Sequence, residues 1–141
     1  MNREIIFSAL FERFKGIAGF ITVSRRLKHW DDVPSTEQPA LFQTQKSEVV
    51  STVPGLNSVS DLQVDVYLYA RTSGDPSSSP ATILNPLVDA IFTALKPDPI
   101  SNKQTLGGLV QHCWIEGSIE TDEGVLGDQG VAIIPIVIKA V

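Results

Sequence analysis

Residues 61–72 read DLQVDVYLYART. Leu62, Val64, Val66, Leu68 and Ala70 alternate there with Gln63, Asp65, Tyr67, Tyr69 and Arg71. A period of two sends the first set to one face of a β-strand and the second to the other. One face is aliphatic and needs a core. The other is polar and aromatic, so the strand is half-buried. A sheet with one apolar face needs a covering layer, and the chain carries two helical patterns that supply it.

The first helical pattern lies at the N-terminal end. Ile6, Leu10 and Phe14 recur at fourfold spacing with Phe7 and Phe11 beside them, a stripe wide enough to lie on a sheet. Gly16 and Gly19 bracket its end. The second pattern runs Leu84, Leu87, Val88, Ile91, Phe92, Leu95, the i, i+3, i+4, i+7 series of an amphipathic helix. Thr82 is its expected N-cap, which places Pro86 near the first turn, where a missing N–H costs least. KPDP at 96–99 stops it.

The remaining segments read as strands and turns. FITVSRRL (20–27) and PALFQTQ (39–45) are expected strands. SEVVSTVPGLNSVS (47–60) is either a hairpin tip at Pro54-Gly55 or a long mobile loop. TSGDPSSSPAT (72–82) is a loop by composition. TLGGLVQHCWIEGSIETDEG (105–124) reads as a strand that continues, or turns, into a second short one. The closing VAIIPIVIKAV (131–141) aims Ile134, Ile136 and Ile138 one way, and Pro135 predicts an edge position or a bulge because it lacks a ladder donor. The order helix, strands, helix, strands lacks βαβ alternation. The expectation is one α+β domain over residues 1–141, with a mainly antiparallel or mixed β-sheet and two α-helices packed on one face.

Composition narrows the function. Of the 141 residues, 43% are hydrophobic and 7% aromatic, so the core should be aliphatic. A net charge of −5 opposes a tight grip on nucleic acid, whose phosphates ask for a basic field. The single cysteine, Cys113, permits no intramolecular disulfide and fits a reducing compartment. The first residues lack the order of a signal peptide, and no apolar run approaches the roughly 20 residues that span a bilayer. The expectation is a soluble, intracellular chain with no membrane partner.

Catalytic and metal chemistry find few candidates. His29, His112 and Cys113 are too few for a zinc site, and neighbouring His112 and Cys113 would point to opposite faces of a strand. Cys113 reads as a small core residue. There is no GxSxG and no Cys–His pair in a familiar frame. Glu116, Glu120, Asp122 and Glu123 lack the dense D-x-D-x-D run of a calcium loop and read as a solvated hairpin. The glycines at 106–108 and 124–130 match no phosphate loop. No catalytic residue, cofactor or metal is expected.

Surface features remain. RRLKHWDDVP (25–34) places Arg25, Arg26 and Lys28 beside Trp30, followed by Asp31 and Asp32. One reading is a strand end with a solvated tip and one anchoring tryptophan. The other is an interface, since Arg and Trp are enriched at binding hot spots and the two aspartates suit arginines of a neighbour. The Tyr67/Tyr69 face poses the same choice between sheet surface and oligomer contact.

Several soft patterns occur in a set order along the chain. They are LFERFKGI (10–17), Trp30 followed by QPALF (38–42), VDVYLYAR (64–71), ILNPLVDAIFTAL (83–95), TLGGLVQHCWIEGSI (105–119) and DQGVAIIPIVI (128–138). Together they resemble the tail terminator, or tail-completion, family of long-tailed bacteriophages and prophages over nearly all of the chain, through order and spacing instead of any sharp motif. The resemblance implies a small α+β domain that assembles as a homo-oligomeric ring, typically a hexamer, on the end of the tail tube. It implies partners in the tail tube protein and the head connector proteins, with DNA passing through the ring without specific binding. It also implies a structural, non-enzymatic protein, placed at the head-proximal end of the virion tail and in the host cytoplasm during assembly.

Ring contacts are heterologous and need two different patches. The expected pair is Arg25, Arg26, Lys28, Trp30, Asp31 and Asp32 against Glu116, Glu120, Asp122 and Glu123. Val53, Pro54, Gly55 and Leu56, with Gly74, Asp75 and Pro76, are the expected docking loops for tube or connector. The alternatives are a head–tail joining or tail-tube protein of the same apparatus, and a small-ligand-binding or enzymatic α+β domain with a pocket lined by His112, Trp114 and acidic residues.

Overall fold

The alternation of residues 61–72 becomes β3 (Val59–Arg71) in the computed structural model, which describes residues 1–72, 77–123 and 128–141. Leu62, Val64, Val66 and Leu68 are sealed, while Gln63, Asp65 and Tyr67 are half-buried. Among the described residues six strands form one sheet. In chain order the others are β1 (Thr22–Ser24), β2 (Ala40–Ser51), β4 (His112–Ile115), β5 (Glu120–Asp122) and β6 (Gln129–Ala140). They lie in the order β1-β2-β3-β6-β4, with β5 also on β6. The β1–β2 pair is parallel and the rest are antiparallel, so the sheet is mixed.

Two helices cover one face. In α1 (Arg3–Lys15) the Asn2 side chain accepts from the Ile5 N–H at 3.1 Å, an N-cap bond. Ile6, Phe7, Leu10 and Phe14 then face the sheet. From α2 (Pro80–Ala94) come Leu84, Leu87 and Ile91. These side chains join Leu41, the sealed residues of β3, and Ile134, Ile136 and Ile138 in one core. The fold is α+β, with both helices on the same face. Buried Gln43 donates to the Phe7 carbonyl at 2.9 Å and ties β2 to α1.

The start of α2 differs from expectation. Ser79 holds the N-cap position and Pro80 opens the helix, where its missing N–H is an orphan in any case. Thr82 is not the cap. It lies in the first turn, and its hydroxyl donates to the Ser79 carbonyl at 2.7 Å. The cap comes from across the fold, because the Glu123 carboxylate accepts from the Ala81 N–H at 3.1 Å and the Ser79 hydroxyl at 3.0 Å. Pro86 therefore falls inside the helix, beyond its first turn. Gly130 on β6 lets this end settle onto the sheet, since a Cβ there would lie 2.7 Å from the Pro80 Cβ.

Pro135 also corrects the sequence reading. β6 is not an edge strand; it lies between β3 on one side and β4 and β5 on the other. The proline fits because that second neighbour is interrupted. β4 ends at the pair Ile115–Ile136, and β5 begins at Glu120–Ile133. The Pro135 carbonyl accepts from the Glu116 N–H at 3.2 Å, so its nitrogen faces the same gap, where no donor is required. Gly117, at φ 115°, makes the turn there, and a Cβ on it would crowd the proline ring at 3.2 Å. Residues 105–124 thus hold one edge strand in two pieces.

Residues 47–60 are a hairpin. β2 continues to Ser51 and β3 begins at Val59. The Leu56 N–H donates to the Val53 carbonyl at 3.0 Å, and the hydroxyls of Thr52 and Ser58 meet at 3.0 Å. Between the pairs Gln45–Val64 and Glu48–Leu62, β2 carries one extra residue, a β-bulge. The expected strand at 20–27 shrinks to β1, which pairs only with residues 40–42. No described helix is long and apolar enough to cross a membrane.

Candidate subunit-contact groove

Parallel strands cannot be joined by a tight turn, so the chain between β1 and β2 must cross back over the sheet. Residues 25–39 make this crossing, and part of it lies on the face opposite the helices. Val33, Ala40, Phe42 and Tyr69 form a second, smaller core there, with Trp30, Tyr67 and Val131 packed against it. The rings of Phe42 and Tyr69 lie 5.4 Å apart between centroids. Two short 3-10 turns, Trp30–Asp32 and Ser35–Glu37, shape the crossing. The first is capped by His29, whose Nδ1 accepts from the Asp31 N–H at 3.2 Å.

Side-chain hydrogen bonds pin the crossing to the sheet. The Tyr69 hydroxyl donates to the Lys28 carbonyl at 2.7 Å. Burial, and then the neighbouring Tyr67, pushes the pKa of that hydroxyl up to about 12, so it stays protonated as the donor the bond needs. Gln38 Nε2 donates to the Val33 carbonyl at 3.0 Å and to Gln129 Oε1 at 2.6 Å. Gln129 Nε2 in turn donates to the Trp30 carbonyl at 3.2 Å, and Arg71 donates to Gln129 Oε1 at 2.9 Å. The start of β6 thereby holds the turn that carries Trp30.

A groove of about 570 Å³ opens between this crossing and β5. Tyr67, Val131 and Ile133 line it from the sheet, Lys28 and Trp30 from the crossing, and Asp122 from β5. Opposite charges therefore border an apolar floor. Beside it lies a depression bordered by Lys46, Asp65, Glu116 and Glu120. His112 and Trp114 line neither hollow. Their rings stack at 4.8 Å, and His112 Nδ1 accepts from the Gln104 N–H at 3.0 Å. Cys113, on the opposite face of β4, is sealed in the main core, where burial pushes its thiol up to about 12. Among the described residues, no three His, Cys, Asp or Glu side chains gather as a metal site.

The charged residues singled out in the sequence have unequal positions. Arg25 turns back on its own chain, 2.6 Å from Glu4 of α1, and holds that carboxyl below its ordinary value. Lys28 lies 3.9 Å from Glu37. Glu123 serves as the cap of α2. Arg26, Asp31, Asp32, Glu116 and Glu120 are exposed and make no side-chain hydrogen bond or ion pair among the described residues. The basic and acidic sets do not lie at opposite ends of the molecule. Lys28 and Trp30 meet Asp122 across one groove. Val53, Pro54, Gly55 and Leu56 stand exposed at the hairpin tip, at the other end of the sheet, and Gly74, Asp75 and Pro76 lie outside the described residues.

Gln38 and Gln129 were not singled out in the sequence. Their one local signal is an amide beside an apolar run, in QPALF and DQGVAII. Their bond joins positions 91 apart, which no local pattern announces. No known protein-family model matches the chain, and no curated protein matches it.

Proposed function

We propose that the chain is a structural, non-enzymatic subunit of a bacteriophage tail: a tail terminator that sits as a ring, hexameric by resemblance, on the head-proximal end of the tail tube. The ordered sequence patterns support this reading, and so does the α+β architecture that the resemblance implies. The observation that carries it is the second face of the sheet. An antiparallel face turned to water is usually polar. This one presents a groove floored by Tyr67, Val131 and Ile133, with Trp30 held beside it by buried amides. Such a surface suits burial against another protein.

In this reading the ring stops polymerisation of the tube protein and offers its far side to the head connector. DNA slides through without specific contacts, which the net charge of −5 favours. The test is electron microscopy of tails assembled without the protein. Overlong tubes are the expected result. Tails of normal length, detached from heads, would overturn the terminator role in favour of head–tail joining.

A further inference from the structure

The β2–β3 hairpin is unusual for an exposed segment. Residues 49–60 contain no Asp, Glu, Lys or Arg. Yet Val49 is 52% exposed, Val50 54%, Val53 55% and Leu56 69%. The projection thus exposes four large apolar side chains, with Val53 and Leu56 at its tip and Val49 and Val50 on opposite faces of β2. The tip is also pre-shaped, since the Val53–Leu56 and Thr52–Ser58 hydrogen bonds close it within the hairpin. A convex, apolar, preorganised tip loses little conformational freedom on docking.

The same chain holds the concave counterpart. The groove at Trp30, Tyr67, Val131 and Ile133 is apolar along its floor, and its volume of about 570 Å³ admits several side chains. Its lining carries one basic and one acidic side chain, Lys28 and Asp122, and so no excess of either sign, which suits an uncharged insert. A hairpin cannot reach the groove of its own molecule. It leaves the sheet at Ser51 and Val59, whereas the groove lies at the end marked by Tyr67, Tyr69 and Val131. From Val59 to Tyr67 alone the strand spans roughly 26 Å, directed away from the tip.

We infer that the hairpin tip of one copy docks into the groove of a second copy, with Val53 and Leu56 seated over Tyr67, Val131 and Ile133. The contact is heterologous, because tip and groove are different surfaces at opposite ends of the sheet. Repeated head to tail, it generates a closed ring or an open helix according to its rotation. The inference deepens the ring reading and rests on its self-assembly, not on its phage context. It assigns the hairpin to contact between copies and not to docking on tube or connector.

The experiment uses the full chain, in which Cys113 is the sole and buried cysteine, so an introduced thiol reports its own surroundings. Leu56→Cys and Ile133→Cys proteins are purified separately, mixed and oxidised. The expected product is a disulfide-linked dimer that forms in the mixture and not in either protein alone. No such dimer, or Leu56→Cys linking chiefly to itself, overturns the docking. In parallel, Val53→Asp/Leu56→Asp, which alters only exposed positions, is expected to raise the concentration needed for assembly about tenfold or more, with unchanged circular dichroism. Assembly of this variant at wild-type concentrations overturns the docking and leaves the ring reading standing. A wild-type chain that stays monomeric even with tube protein present overturns both.

Discussion

Leu68 and Tyr69 are consecutive residues of β3 that face different layers. Leu68 points into the core beneath the two helices, and Tyr69 into the small core beneath the crossing. The helix side is closed by shape. Apolar side chains from α1, α2 and the strands fill it, with Phe7 and Phe14 of α1 among the aliphatic residues. The other side is closed by tethers. One tyrosine hydroxyl and two buried glutamines hold a crossing that contributes only a few apolar residues, and a groove is left open beside it. One alternating strand therefore does two jobs. Its even positions supply stability by burial, and its odd positions build a surface whose form depends on hydrogen bonds.

The contrast can be broken most directly on the closed face. Leu68→Ala removes a sealed side chain and should lower stability by about 2–5 kcal/mol in denaturant titration, while the folded fraction assembles as before. A loss below about 1 kcal/mol would mean that the helix side is not the main source of stability. Tyr69→Phe sharpens the comparison from the other face. It should cost about 1 kcal/mol, because the Lys28 carbonyl loses its donor, and should speed amide exchange around residues 28–33 while the helices stay protected. Uniform exchange across the molecule would show that the crossing is not held locally. The smallest effect on folding belongs to Arg26→Glu. Stability should move by no more than about 0.5 kcal/mol, whereas the solution mass should shift from assembly toward monomer. An unchanged mass would remove Arg26 from the proposed subunit contact. The same reversal at Arg25 would be harder to interpret, since it sets two carboxylates against each other at Glu4.

What could be read ahead of the structure was local. The period of β3 assigned its faces, the fourfold stripe placed α1, and the absence of βαβ alternation indicated an α+β class. The misreadings share one cause, that the deciding partner is distant in sequence. Thr82 looks like a cap until Glu123 is seen to supply the carboxylate. Pro135 suggests an edge because a proline lacks a donor, but that donor is needed on only one side of a strand, and there the neighbour is broken. The basic cluster looks free until Arg25 is found on Glu4. The groove was the least legible feature of all. Its walls come from residues 27–30, 67, 69, 122, 131 and 133, and a parallel β1–β2 pair brings them together without any local sign.

One inserted residue between Gln45 and Glu48 has a consequence of its own. A bulge bends its strand and tightens the local twist, so it sets the direction in which the hairpin leaves the sheet. In a head-to-tail assembly that direction is repeated at every joint, and any angular offset accumulates with copy number. The curvature of the whole is then written at a single position along β2. Deleting Ser47 would be a change of arc before it was a change of affinity, as the arm would keep its apolar tip and present it along a different line.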